Sequence, residues 1–89
     1  MKNTTITVIN RLGMHARASA KFVHLASRYK SDVTLEGNGH QANGKSIMGI
    51  MMLAAGKGSR LTLRVNGADE DEATHALRSL VENRFGEEE

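Results

Sequence analysis

The tripeptide Gly37-Asn38-Gly39 limits what this chain can fold into more than any other stretch. Glycine and asparagine accept positive φ, which a tight hairpin turn requires. Before it, Asp32–Glu36 alternates with Val33 and Leu35 on one face, and a short partner strand fits around His40–Asn43. Two strands joined this way run antiparallel. Thr4–Ile9 and Arg60–Asn66 also read as strands, turning Ile6, Val8, Leu61, Leu63 and Val65 inward. Ala16 to about Tyr29 reads as a helix with Ala18, Phe22, Leu25, Ala26 and Tyr29 along one stripe. Ile47–Leu53 is a short helix, apolar almost all round, and Ser46 is a natural N-cap for it. Asp69 and Glu72 have capping-box spacing ahead of a last helix whose stripe is Ala73, Ala76, Leu77, Leu80 and Val81. The order β-α-β-β-α-β-α with a central hairpin is not a pure βαβ repeat. It predicts an α+β fold: a mixed or antiparallel sheet with helices on one face and Thr, Arg, Asp and Glu on the other.

A chain of 89 residues supports one core, since it buries only about 60–65% of its unfolded surface. We therefore expect a single domain over residues 1–89, with Glu87–Glu89 as a frayed acidic tail. There is no cysteine, which fits a reducing compartment. The N-terminal residues form no apolar signal region, and no stretch approaches the ~20 apolar residues of a membrane span. A cytoplasmic protein without membrane insertion is expected. The net charge is +2 and aromatic residues are 3% of the chain. Phe22, Tyr29 and Phe85 supply no stacking platform for nucleic acid. His24, His40 and His75 lack i,i+4 spacing to one another, so no metal site is expected. The Gly56–Ser59 loop lacks the leading glycine of a phosphate-binding loop. No cofactor is expected.

The segment RLGMHARAS, residues 11–19, carries the chemistry. A loop histidine with no role and a solvated arginine would read the same one residue at a time. Together they do not. Arg17 at a helix start opposes the positive end of the helix dipole, and that conflict is resolved if an anion sits there. The first amides of a helix have no partners, here those of Ala16, Arg17 and Ala18. Small residues around them let a tetrahedral anion approach. A neutral His15 imidazole could attack a phosphoryl group. Arg17 would then bind the oxygens through charge-assisted hydrogen bonds.

With GMHARAS, GKSIMGIMML and GADEDEATHAL, the whole chain resembles the histidine-containing phosphocarrier (HPr) family of the phosphoenolpyruvate-dependent phosphotransferase system, including its nitrogen-related (NPr) branch. The resemblance implies an open-faced β-sandwich, a four-stranded antiparallel sheet covered on one face by three helices. It implies that Nδ1 of His15 takes a phosphoryl group from phosphorylated enzyme I and passes it to an enzyme IIA, with Arg17 stabilising the phosphohistidine. Such a protein is a monomeric carrier rather than a stand-alone enzyme. Ser46 matches the position that a dedicated serine kinase/phosphorylase modifies in some members. A regulatory binding module controlled through Ser46 is the alternative function. The resemblance also implies that the first two helices form one docking surface, here with Ile47, Met48, Met51 and Met52 rimmed by Arg11, Arg17, Lys21 and Lys45. The family usually has proline where this chain has Ala18.

Overall fold

The structure, a computed structural model, describes residues 1–89. Its elements are β1 (Lys2–Thr7), α1 (Ala16–Ala26), β2 (Asp32–Gly37), β3 (His40–Asn43), α2 (Ile47–Met51), β4 (Arg60–Asn66) and α3 (Glu70–Glu82), followed by a 3₁₀ turn at Arg84–Gly86. The strands form one sheet in the order β1-β4-β2-β3, and every pairing is antiparallel. The hairpin turns at Asn38 and Gly39, with φ of 52° and 79°. Register aligns the apolar set: Ile6 lies opposite Leu61, Leu35 opposite Leu63, and Val33 opposite Val65. Because side chains alternate across a strand, these all face the same way. The helices cover that face with Ala18, Phe22 and Ala26 from α1, Ile50 from α2, and Ala73, Leu77 and Val81 from α3, all buried. On the other face Arg64 donates to the Glu36 carboxylate at 3.3 and 3.4 Å. No helix is long and apolar enough to cross a membrane.

Three element boundaries differ from the sequence reading. Strand β1 runs from Lys2 to Thr7 rather than from Thr4 to Ile9. Val8 is nevertheless fully buried, because it exchanges backbone hydrogen bonds with the 58–59 loop: Gly58 N donates to Val8 O at 2.7 Å and Val8 N to Ser59 O at 2.9 Å. Helix α2 stops at Met51 instead of Leu53, whose side chain enters the core. Helix α1 ends at Ala26, three residues short of Tyr29. The amides of Lys30 and Ser31 donate to the two carboxylate oxygens of Asp69 at 2.9 and 3.0 Å. That capture, from a residue distant in sequence, draws the chain off the helical path.

The same contact removes the expected capping box. The Asp69 side chain makes no cap hydrogen bond to α3, because it is committed to residues 30 and 31 and to Ser31 Oγ. Glu70 instead accepts from Gly67 N at 3.2 Å. The Ser31 hydroxyl, followed by the Lys30 amide, holds the Asp69 carboxyl below its ordinary value, against a smaller opposing effect of burial. A carboxyl with a depressed folded pKa adds stability above its unfolded value, about 3.9 for Asp, and that stability is lost as pH falls through the folded value. Asp69→Asn should therefore lower the melting temperature at neutral pH and flatten the decline on acidification. A pH–melting profile superimposable on that of the wild type would contradict this.

Candidate functional site

The β1–α1 loop is clamped before it reaches His15. Asn10 is fully buried, and its Nδ2 donates to Gly13 O at 2.8 Å. Gly13 has φ +66°, and a Cβ there would lie 2.6 Å from Ala55 O. Glycine is required both for the backbone angle and for this close approach. The next amide, Met14 N, donates to Ala55 O at 2.8 Å, while the Met14 side chain enters the core. Ser19, buried one turn into α1, donates from Oγ to Met14 O at 3.0 Å. The loop is thus tied to the 55–56 segment on one side and to α1 on the other.

His15 follows as the N-cap residue of α1, with φ −69° and ψ 176°. Its carbonyl accepts the first helical bond, from Ser19 N at 2.9 Å, and its ring makes no capping bond. The amides of Ala16, Arg17 and Ala18 have no acceptor within the chain. Ala16 and Arg17 are exposed, whereas the Ala18 side chain lies in the core. His15 and the three free amide donors occupy consecutive residues. Arg17 pairs with no carboxylate and lies along an open groove with Arg11, Leu12, His15 and Ala16.

The far wall of the groove is the C-terminal segment, expected to fray. It is docked instead. Glu87 Oε2 lies 2.5 Å from His15 Nε2, and Glu87 Oε1 accepts from Asn10 Nδ2 at 3.0 Å. Arg11 pairs with the Glu89 carboxylate at 3.3 Å, and its amide donates to Glu89 O. The cause is Phe85, only 1% exposed, which anchors the segment in the core. Lys21 Nζ also donates to Phe85 O at 2.7 Å. The hydrogen bond with His15 holds Glu87 below the usual carboxylate range; burial opposes it and the Asn10 amide reinforces it. An ionised carboxylate only accepts, so Nε2 of His15 donates to it, and Nδ1 has no hydrogen-bond partner.

Among the other expected site residues, Ser46 caps α2: its Oγ accepts from Gly49 N at 3.0 Å. Met48 and Met52 are 74% and 76% exposed, and Ile47 and Met51 are 41% and 44% exposed, while Ile50 is buried. Leu12, which the sequence reading left in the loop, is also exposed beside His15. Lys21 and Lys45, expected to rim this face, also make hydrogen bonds to backbone. The ammonium of Lys21 is bonded to Phe85 O, and that of Lys45 to Tyr29 O at 2.8 Å. Each therefore anchors backbone. Asn10, Ser19 and Glu87 were missed. The only sequence signal for the last was Phe85, a large apolar residue in an otherwise polar segment.

Two substitutions test the loop geometry. Gly13→Ala must displace either this loop or the backbone at Ala55, and should destabilise by about 1–3 kcal/mol in urea unfolding. Ala18→Pro removes an amide that has no acceptor, so it should stabilise by ~0.4–1 kcal/mol. A loss of stability would mean that the first turn of α1 does not tolerate the proline ring.

Comparison with known proteins agrees with this geometry. Residues 2–83 match the family model described as the PTS HPr component phosphorylation site. The chain is 58% identical over 83 residues to the phosphocarrier protein HPr of Cupriavidus necator, covering 93% of each. It superposes on the structure of HPr-C-His from Thermoanaerobacter tengcongensis with a TM-score of 0.95 and 45% identity, covering 100% of both chains. An HPr dimer from the same organism matches with a TM-score of 0.78 and 45% identity, over 98% of this chain and 100% of that one. With its sheet order, its histidine at the start of the first helix and most of its length aligned to such relatives, the chain belongs to the HPr family of the phosphoenolpyruvate-dependent phosphotransferase system.

Proposed function

We propose that this protein is a phosphocarrier whose His15 accepts a phosphoryl group from phosphorylated enzyme I and passes it to an enzyme IIA. The observation that carries the reading is the ring's setting: Nε2 is held by Glu87, Nδ1 has no hydrogen-bond partner, and the ring belongs to the N-cap residue directly ahead of three amides without acceptors. The Nδ1 lone pair attacks phosphorus. The N–P bond forms as the donor–P bond breaks, and that bond's electron pair leaves with the donor. Delivery reverses the roles, with the Nδ1–P electrons returning to the ring. The amides of Ala16, Arg17 and Ala18 and the Arg17 guanidinium supply donors for the phosphoryl oxygens.

The modest size of these interactions suits a carrier. A helix end stabilises an anion by about 0.3–1 kcal/mol when exposed and up to ~2 when partly buried. Tenfold in equilibrium is about 1.4 kcal/mol. Such terms hold a phosphoryl group without trapping it. The exposed Leu12, Ile47, Met48, Met51 and Met52 supply an adaptable apolar face for both partners. In this reading the carrier acts as a monomer in the cytoplasm. The acceptor is an enzyme IIA of the sugar or the nitrogen-regulatory branch. Ser46 Oγ caps α2, and the function proposed here rests on His15 rather than on that serine.

Incubation with enzyme I and phosphoenolpyruvate should add one acid-labile phosphoryl group to the wild-type chain and none to His15→Ala. The enzyme IIA that drains the label identifies the branch. A wild-type chain left unlabelled by active enzyme I, or a labelled His15→Ala, would refute the proposal.

A further inference from the structure

Beyond the histidine and the arginine, a third side chain is built into the site. We infer that Glu87 is a positioning residue for the transfer: its carboxylate holds the proton on Nε2 of His15, orients Nδ1 toward the α1 amides, and stabilises the positive charge that the ring develops as Nδ1 bonds phosphorus. The inference rests on the carrier function proposed above.

The chain spends several unusual features on this contact. Arg84, Phe85 and Gly86 have φ of 56°, 56° and 80° in succession. Two of these are non-glycine residues in the left-handed region, where the side chain is crowded by backbone. The turn is held by Phe85 in the core, by Lys21 Nζ on Phe85 O, and by Gly86 N and Glu87 N donating to Asn83 O and Arg84 O at 3.0 and 2.9 Å. It emerges with Glu87 over the imidazole. The Glu87 side chain is only 19% exposed, and both of its oxygens are engaged, one by His15 and one by the buried Asn10 amide. Asn10 in turn bonds Gly13 O, so the carboxylate and the loop that aims His15 share one side chain. A frayed acidic residue would show none of this.

The chemistry follows from charge. The form of the ring that attacks is neutral, with its hydrogen on Nε2. When the Nδ1 pair forms the N–P bond, the ring nitrogens share a positive charge while the proton stays on Nε2. A carboxylate accepting that hydrogen bond becomes more strongly attracted as the charge grows, which favours the transition state over the ground state. On delivery the electron pair returns to Nδ1 and the ring becomes neutral again. No proton is gained or lost. Because the phosphoryl group is bound at Nδ1, the carboxylate lies at the other ring nitrogen, opposite the dianionic oxygens.

The test compares wild type with Glu87→Ala and the near-isosteric Glu87→Gln in single turnover against excess phosphorylated enzyme I, with thermal melting and the imidazole NMR signals recorded on each. Wild type should show a protected Nε2–H resonance. Glu87→Ala should lose that resonance and slow phosphoryl uptake on the order of 10-fold, the usual cost of removing a partner that orients a reactive group. Glu87→Gln, which keeps an acceptor but no charge, should also be slow. Wild-type speed in either variant overturns the inference, as does slow uptake with the Nε2–H resonance of Glu87→Ala intact. A wild-type chain that takes no label is a different failure, that of the carrier function itself.

Discussion

Burial of one stripe of α1 against the sheet is the constraint on which the rest of the molecule depends. Phe22, Ala18 and Ala26 are fully buried, and burying a phenylalanine side chain is worth about 1.5–3 kcal/mol. Small residues above and below Phe22 let the helix lie close to the strands. Once that stripe is seated, the rotation of α1 is set. Its N-terminal end must emerge at the molecular surface, with Ala16 and Arg17 exposed and the helix amides without acceptors. A helix end with free, exposed amides is thus a by-product of core packing, and the loop needs only to deliver a histidine to it.

That delivery depends on polar atoms buried with partners. Asn10, Gly13, Met14 and Ser19 form a chain of hydrogen bonds that runs from the end of β1, past Ala55, into the first turn of α1. Buried polar groups are costly without partners and specific with them. Each of these bonds narrows the directions in which His15 can point. The acidic segment joins the same network through Asn10 and Glu87. The histidine is consequently held from the loop side and from the C-terminal side, with only the groove face of the ring left free.

A second long-range carboxylate does comparable work at the other end of α1. Asp69 takes the amides of Lys30 and Ser31 and the hydroxyl of Ser31, ending the helix and tying the start of β2 to the start of α3. In both cases an acidic residue read locally as a helix cap or a solvated tail is used across the fold. Local spacing cannot distinguish these uses, because a carboxylate accepts equally well from its own helix and from a distant amide.

The sequence by itself determined the element order, the antiparallel hairpin at Asn38–Gly39, the apolar face of every strand, the Ser46 cap, and the pairing of His15 with the free amides of α1. All of these are short-range: they follow from side-chain period, from backbone angles that few residues accept, and from the unpaired ends of helices. Tertiary structure alone decided the sheet order β1-β4-β2-β3, the early end of α1, the anchoring of Lys21 and Lys45, and the placement of Glu87 on the imidazole. These depend on which distant groups meet when the core closes, and no local spacing along the chain encodes a contact between residues 15 and 87.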